Sequence, residues 1–322
     1  MSSAAIVAFT TTTGLETVFA KAEEFAKHSA SDNTRRGYAS DWRQFTAWCD
    51  VHGVVSLPAT PGTIALYLAD VAERLKPATI ARHLAAVSKA HSAAGHESPC
   101  AMRHAAVKAV WSGVRRLKGT AQVQKAPLLT ADLRRMVSAL PESGIGRRDA
   151  AILLVGFAGA FRRSELAALT VCDVEFVEEG LKVTLRKSKT DQLGQGFVKA
   201  IAFGSDPISC PVRALRRWLE CTGITHGPIF RRVNRHGHVS ESAMSAQTVA
   251  IVLKRSCKTI GLESANFSGH SLRAGCVTQS IINGASEASV QKLTGHRSTA
   301  MLRRYVRDGN LWRDPVGRYL GL

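Results

Sequence analysis

The stretch from residue 266 to residue 307 decides how this chain folds. It opens with N-F-S-G-H-S-L-R-A-G (266–275) and closes with K-L-T-G-H-R-S-T-A-M-L-R-R-Y-V-R (292–307). His270 and Arg273 are three residues apart, so a helical turn places their side chains on the same side. An imidazole and a guanidinium in this arrangement can both bind a phosphate group.

The second half of this stretch adds a nucleophile. Gly295 is typical of a helix end, His296 follows it, and Ser298 is typical of the N-cap of another helix. That helix carries Tyr305 two turns later. A phenol near two imidazoles and a guanidinium can attack a phosphodiester.

The composition of the chain points to a polyanionic partner. The 322 residues are enough for two domains, and 45% of them are hydrophobic, so sizeable cores are expected. The formal net charge is +18. A nucleic acid is the natural partner for such an excess of cations, although a generally basic soluble protein would share it.

Neither secretion, a membrane span nor a cofactor site is indicated. The 7 cysteines are scattered without a C-x-x-C pair, which favours thiols in a reducing cytoplasm over disulfides or a zinc site. The longest apolar run, residues 150–161, is too short to cross a bilayer. A Walker-type loop and an acidic cluster for magnesium are both missing from the sequence. We therefore expect no cofactor, no metal, no membrane partner and a cytoplasmic location.

The first half of the chain predicts a small all-helical domain over residues 15–117, after a Ser/Thr-rich and flexible N-terminus of residues 1–14. Four aromatic residues recur at helical spacing and predict its core, namely Tyr38, Trp42, Phe45 and Trp48. Polar and basic side chains lie on the outer helix faces, where they can meet phosphates. These are Arg35, Arg36, Thr79, Arg82, Lys89, Arg115 and Arg116.

Residues 148–169 predict a central buried helix that ends in charge. The first half of this segment is apolar on all sides, and Arg162 and Arg163 then interrupt the apolar run. A charge on a buried element is unfavourable unless it is paired. Glu165 can pair with Arg162, three residues before it. The alternative is an ordinary Arg–Glu pair at the surface.

A basic hairpin follows. Residues 173–185 predict a β-hairpin whose turn is E-E-G (178–180), and residues 198–203 predict a third strand. The polar turn between them, R-K-S-K-T-D-Q-L-G-Q-G (186–196), contains Lys187 and Lys189. Either lysine suits contact with a phosphate. Arg231, Arg232 and Arg235 are expected in a later loop.

Taken in order, these segments resemble the tyrosine recombinase family, which includes Cre-like and Xer-like site-specific recombinases and phage integrases. The resemblance rests on R-R-S-E, H-S-L-R, L-T-G-H-R-S-T and R-R-Y. The usual G-L before the first arginine is Ala160-Phe161 here. Ala274-Gly275 replaces the commoner His-Thr, a small-residue version that also occurs in Cre-like members.

The resemblance implies a two-domain DNA clamp that is mainly α with a small antiparallel β-sheet. It implies an all-helical core-binding domain with a SAM-like fold (15–117), a linker (118–126) and an α+β catalytic domain (127–322) with a C-terminal tail (308–322). It also places the helix of residues 79–89 in the major groove, with Arg82 reading a base. A solvated surface charge remains the alternative for Arg82.

The resemblance further implies a reaction that passes through a 3′-phosphotyrosine and a Holliday junction without metal or ATP. The implied roles are Tyr305 as nucleophile, His270 as proton acceptor, Arg162 and Arg273 as donors to the phosphate oxygens, His296 as a further donor, Lys189 as the acid for the leaving 5′ oxygen, and Glu165 as support for Arg162. Arg163 competes with Arg162, and Lys187 competes with Lys189.

The implied partners are a specific double-stranded recombination site and three further copies of the chain. The tail would pack on a neighbouring protomer of a homotetramer, with folding back on its own domain as the alternative. The host would be a bacterium, with the protein at its nucleoid, or the gene would belong to a phage or mobile element. Two other functions stay open, namely a catalytically silent DNA-binding regulator and a type IB topoisomerase-like enzyme.

Overall fold

The protein is described from a computed structural model that covers residues 15–28, 31–121, 125–186 and 196–295. The chain divides into two compact units, Met1–Val123 and Gln124–Leu322. Within the described residues, no helix is both long enough and apolar enough to cross a bilayer.

The described residues of the first unit form helices and turns without strands. Its helices are α1 (Glu16–His28), α2 (Asp32–Val51), α3 (Pro61–Arg74), α4 (Pro77–Ala93) and α5 (Ala105–Lys118). Ser31 and Thr60 begin α2 and α3, because each side chain accepts a hydrogen bond from the backbone N–H three residues later. Prolines occupy the first positions of α3 and α4, where a missing N–H does no harm.

The core of this unit is rich in aromatic side chains. Phe45 and Trp48 of α2 pack edge-on against Tyr67 of α3, with ring centroids 5.0 and 5.2 Å apart. The prediction of an aromatic core is confirmed for Trp42, Phe45 and Trp48, which are buried. Tyr38 is only partly buried.

The second unit combines helices with two small antiparallel sheets. Its helices are α6 (Thr130–Ser138), α7 (Gly144–Ala158), α8 (Arg163–Ala167), α9 (Pro211–Thr222), α10 (Ala246–Thr259), α11 (Ser271–Ile282) and α12 (Glu287–Thr294). Its strands are β1 (Val174–Val177), β2 (Gly180–Leu185), β3 (Phe197–Ala202), β4 (Arg231–Val233) and β5 (Val239–Ala243). The predicted fold class, mainly α with a small antiparallel sheet, is confirmed for the described residues.

Helix α7 is the centre of the second unit. Its residues 151–156 are all buried, as the continuous apolar run predicts, and the helix contacts α6, α9, α10 and α11. Near its start, the buried carboxylate of Asp149 bonds the guanidinium groups of Arg148 and Arg255. This pairing compensates the buried charge and joins α7 to α10.

The three-stranded sheet has the order β1-β2-β3. Val177 pairs with Gly180 and Leu185 pairs with Phe197, so both connections are antiparallel. Leu181, Val183 and Ile201 point into the core, following the two-residue period of a strand.

The loop predicted around Arg231, Arg232 and Arg235 is wrong in part, because residues 231–233 form β4 and pair with β5. The side chain of Asn234 closes the turn by accepting hydrogen bonds from the N–H groups of His236 and His238. Three arginines in a short stretch obscure the alternation that would have indicated a strand.

Candidate active site

Arg162 is the last residue before α8, and Glu165 lies within that short helix. The side chain of Glu165, almost fully buried, accepts a hydrogen bond from the backbone N–H of Arg162 at 2.9 Å and another from its Nη1 at 2.5 Å. One carboxylate therefore fixes both the start of α8 and the direction of the Arg162 guanidinium. This is the arrangement that the three-residue spacing predicted.

Arg163 points elsewhere. It is exposed, and its Nη1 lies 3.2 Å from the side-chain oxygen of Gln247 on α10. Its aliphatic carbons cover Gly269, where a Cβ would lie 2.2 Å from them. The geometry thus favours Arg162 over Arg163 as the inward-facing arginine.

Arg273 is buried in the first turn of α11. Only 2% of it is exposed. Its Nη1 donates to the carbonyl of Ala160 at 2.6 Å and its Nη2 donates to the carbonyl of Thr294 at 2.7 Å. Arg273 therefore contacts the turn that leads into Arg162 and the end of the helix that leads into His296.

His270 is exposed at the N-cap of α11. The backbone N–H of His270 lies 3.3 Å from the hydroxyl of Ser268. His270 and Arg273 thus stand on one helical turn, as predicted, but only the arginine is enclosed by protein.

Lys199 is a fourth charged group of this site, and sequence reasoning missed it. It lies on β3 with 1% exposure. Its Nζ donates to the carbonyl oxygens of Gly159 at 2.7 Å and Leu293 at 2.5 Å. Burial, and then the positive charge of Arg273, lower the pKa of Lys199 to about 8, while Glu165 opposes the shift. In F-V-K-A-I-A (197–202), Lys199 lies two residues from Ile201, so both side chains point to the same face of the strand. That two-residue period was the feature of the sequence that could have indicated a buried lysine.

The described part of the site carries a positive charge. Arg162, Arg273 and Lys199 are cations, and Glu165 is the carboxylate among them. An anion with several acceptor oxygens, such as a phosphodiester, complements this arrangement. No group of three or more His, Cys, Asp or Glu side chains in the described ranges could hold a metal ion.

Several predicted site residues lie outside the described residues. These are Lys189 and its competitor Lys187, His296, Tyr305 and the tail of residues 308–322. The described chain does reach Gly295, whose left-handed conformation ends α12 as predicted.

In the first unit, the predicted DNA-contacting residues are at or near the surface. Arg35, Arg36, Lys89, Arg115 and Arg116 are exposed, and Thr79 is partly so. Arg82 is about half exposed, but it is not simply solvated: its Nε and Nη2 donate to the two carboxylate oxygens of buried Asp41 at 2.6 and 2.9 Å. This bond to Asp41 raises the pKa of Arg82.

Comparison with known proteins decides the family. A model of the phage integrase family matches residues 127–310. The chain belongs to the phage integrase family, the tyrosine recombinases. The family resemblance based on the sequence motifs is therefore confirmed, and the protein is a tyrosine-type site-specific recombinase.

Relatives of this recombinase cover most of its length. It is 38% identical over 298 residues to an integrase/recombinase xerD homolog of Selenomonas ruminantium, covering 91% of this chain and 87% of the relative. It is 26% identical over 306 residues to the tyrosine recombinase XerC of Bifidobacterium longum (strain DJO10A), covering 88% and 78%.

Solved structures show the same fold. The recombinase XerH in a post-cleavage complex with palindromic difH substrate matches with a TM-score of 0.63 at 14% identity, covering 93% of this chain and 85% of that one. A lambda integrase dimer bound to a COC′ core site matches with a TM-score of 0.58 at 19% identity, covering 90% and 94%.

Proposed function

We propose that this recombinase cleaves and rejoins a specific duplex DNA site through a 3′-phosphotyrosine on Tyr305, without metal or ATP. The observation that carries the proposal is the pair of bonds from Arg273 to the carbonyls of Ala160 and Thr294. These bonds bring together three segments that are far apart in the sequence, around Ala160, Arg273 and Thr294. The last of them, at Thr294, continues eleven residues later into Tyr305.

The chemistry assigns a role to each side chain. A phenol has a pKa of about 10, so it needs a proton acceptor near neutral pH, and His270 takes that role. Charge then develops on the non-bridging oxygens of the phosphate, where Arg162 and Arg273 donate hydrogen bonds. His296 donates a further one.

The leaving 5′ oxygen needs a proton, which Lys189 of the hairpin supplies, with Lys187 as its competitor. The new bond links Tyr305 to a 3′ phosphate and leaves a free 5′ hydroxyl. Because the phosphotyrosyl bond stores the energy of the bond that was broken, a second hydroxyl can reverse the reaction. Attack by the hydroxyl of a partner strand produces a Holliday junction.

The test is the removal of one phenolic oxygen. Tyr305→Phe and the control Tyr38→Phe are incubated with duplexes that the wild-type protein selects from a randomised pool, and SDS-resistant complexes are counted on gels. Both variants should bind these duplexes, and Tyr305→Phe alone should form no covalent complex. A covalent complex that persists in Tyr305→Phe would refute the assignment.

The same assay separates the alternatives. A silent regulator would bind DNA without any covalent product. A type IB topoisomerase-like enzyme would relax supercoiled plasmid as a monomer and give no exchanged strands. The family match and the partly buried Arg162–Glu165 pair favour the recombinase.

The assembly belongs to the proposal as well. Residues 15–117 and the catalytic domain would both contact the duplex, and four protomers would hold two duplexes in the bacterial cytoplasm. A related structure contains a lambda integrase tetramer bound to a Holliday junction, with a TM-score of 0.57 at 18% identity. The tail of residues 308–322 would pack on the neighbouring protomer.

Deletion of residues 311–322 tests that tail. These residues include Leu311, Trp312 and Tyr319, which are too few to form a core of their own. The deletion should abolish recombination of two duplexes and leave binding to a half-site intact. Undiminished recombination by the shortened protein would reject packing between protomers.

A further inference from the structure

A lysine occupies the inward face of β3. Exposure along this strand alternates, and Lys199 shares the buried positions with Ile201. An ammonium group there is unfavourable unless its charge and its N–H donors are compensated. The partners that compensate Lys199 therefore indicate what it does.

Those partners are main-chain carbonyls of two separate segments. Nζ of Lys199 bonds Gly159 O in the turn after α7 and Leu293 O in the last turn of α12. The same Nζ lies 5.1 Å from the ring centroid of Phe161 and 5.4 Å from that of Phe197. Two acceptors and two aromatic faces surround the charge.

Arg273 joins the same two segments one residue further along each. It bonds Ala160 O where Lys199 bonds Gly159 O, and Thr294 O where Lys199 bonds Leu293 O. The two side chains come from different elements, α11 and β3. They form two neighbouring cation bridges between the turn 159–160 and the helix end 293–294.

We propose that Lys199 is a positioning residue for DNA strand cleavage, an inference that rests on the function proposed above. The turn 159–160 is separated from Arg162 by Phe161 alone, and the helix end 293–294 immediately precedes Gly295 and His296. By binding both segments, Lys199 sets the distance between the turn 159–160 and the helix end 293–294. It acts through the backbone and does not itself contact the phosphate.

The backbone of the turn supports this role. Ala160 has a φ of 47°, a conformation that residues with a Cβ rarely adopt, and it is fully buried. The carbonyls of Gly159 and Ala160 are the ones that Lys199 and Arg273 bind. A strained turn persists only where its surroundings hold it, and the two cation bridges supply that restraint.

Lys199 changes its protonation state near neutral pH. The groups that act on it are Arg273 and Cys276 from α11, and Arg162 and Glu165 from the α7–α8 turn and α8. Its pKa of about 8 means that the ammonium form dominates below pH 8 and the neutral amine above it. A neutral amine still donates hydrogen bonds, but these are weaker than charge-assisted ones.

The test replaces Lys199 with Met, which keeps the apolar stem and removes the charge and the donors. Lys182→Met on β2 is the control, since that lysine is about half exposed and lies 3.8 Å from Glu175. The probe is a nicked duplex carrying a sequence that the wild-type protein selects from a randomised pool. The measurements are the Kd for that duplex and the single-turnover rate of covalent complex formation.

We expect Lys199→Met to bind the duplex as the wild type does and to form the covalent complex about 10²-fold more slowly, the effect of displacing catalytic groups by about 1 Å. Lys182→Met should match the wild type in both measurements. The ratio of wild-type to Lys199→Met rates should be largest below pH 8 and shrink above it, which a loss of packing alone would not produce. If the Met variant does not fold, Lys199→Gln, which keeps a donor but removes the charge, should form the covalent complex more slowly than the wild type.

Equal rates for the wild type and folded Lys199 variants would overturn the inference, and so would a rate ratio independent of pH. A wild-type protein that binds the duplex without forming any covalent complex would refute the proposed function, and this inference with it. The rate measured for the wild type therefore shows whether the proposed function fails or only the role of Lys199.

Discussion

At the scale of a single residue, Ala160 adopts a backbone conformation that is unusual for a residue with a side chain. It is the one non-glycine residue with a positive φ within the described ranges. The conformation is unfavourable by about 1–2 kcal/mol for a residue with a Cβ. Its buried methyl group and the smaller freedom of alanine in the unfolded chain offset this.

Ala160→Gly should therefore change the free energy of unfolding by less than about 1 kcal/mol, since the relief of strain of about 1–2 kcal/mol cancels the loss of a buried methyl and the added chain entropy. Ala151→Gly is the matched control, because Ala151 is equally buried but lies in regular helix α7. It should be destabilising by about 2 kcal/mol. Urea unfolding of both variants measures the difference, and equal losses would show that the positive φ is not strained.

Part of the site could be predicted from residue types and their spacing alone. The Arg162–Glu165 pair was predictable because both partners are side chains at a fixed spacing. The partners of Arg273 and Lys199 are backbone carbonyls, which every residue carries, so no residue type signals them. Asp41 lies 41 positions before Arg82, and its role in fixing that guanidinium appears only in the fold.

At the scale of elements, the close approach of α11 to the segment before α6 depends on a glycine. A Cβ on Gly275 would lie 1.8 Å from the carbonyl oxygen of Leu128, and the N–H of Leu128 bonds Ser271 O at 3.1 Å. The small residues after Arg273 thus let backbone pack on backbone. This packing sets the position of the helix that carries Arg273.

Gly275→Ala should destabilise the protein by several kcal/mol, more than the roughly 1–3 kcal/mol typical of an overpacked side chain, because the clash is with backbone. Gly113→Ala in α5 is the control with the opposite sign, since no atom lies within 4 Å of its added Cβ. Alanine there should stabilise the helix by up to about 1 kcal/mol. Thermal unfolding followed by circular dichroism compares the two, and a neutral Gly275→Ala would contradict this packing.

The elements that sequence reasoning recovered are those with a strong period or a cap. Helix α7 followed from its apolar run, α2 from the helical spacing of its aromatic residues, and the end of α12 from Gly295. The hairpin of β4 and β5 was missed because its strands are short, β4 is basic and β5 is mostly polar. Long, patterned elements are predictable, whereas short polar ones depend on contacts made elsewhere in the chain.

At the scale of the whole molecule, the charge of +18 and the buried cations serve one kind of ligand. The exposed basic residues of the first unit suit the DNA backbone without regard to sequence. Arg162, Arg273 and Lys199 lie within the second unit, where low exposure makes each charge more effective. The family match covers residues 127–310, which include Arg162, Arg273 and Lys199.

The role of Tyr305 can be tested by identifying the atom that carries the DNA. A covalent complex formed by the wild-type protein is digested with protease and nuclease, and the modified peptide is sequenced by mass spectrometry. We expect a nucleotide joined through its 3′ phosphate to Tyr305, with a free 5′ hydroxyl on the other strand end. An adduct on another residue, or a link through a 5′ phosphate, would contradict this role of Tyr305.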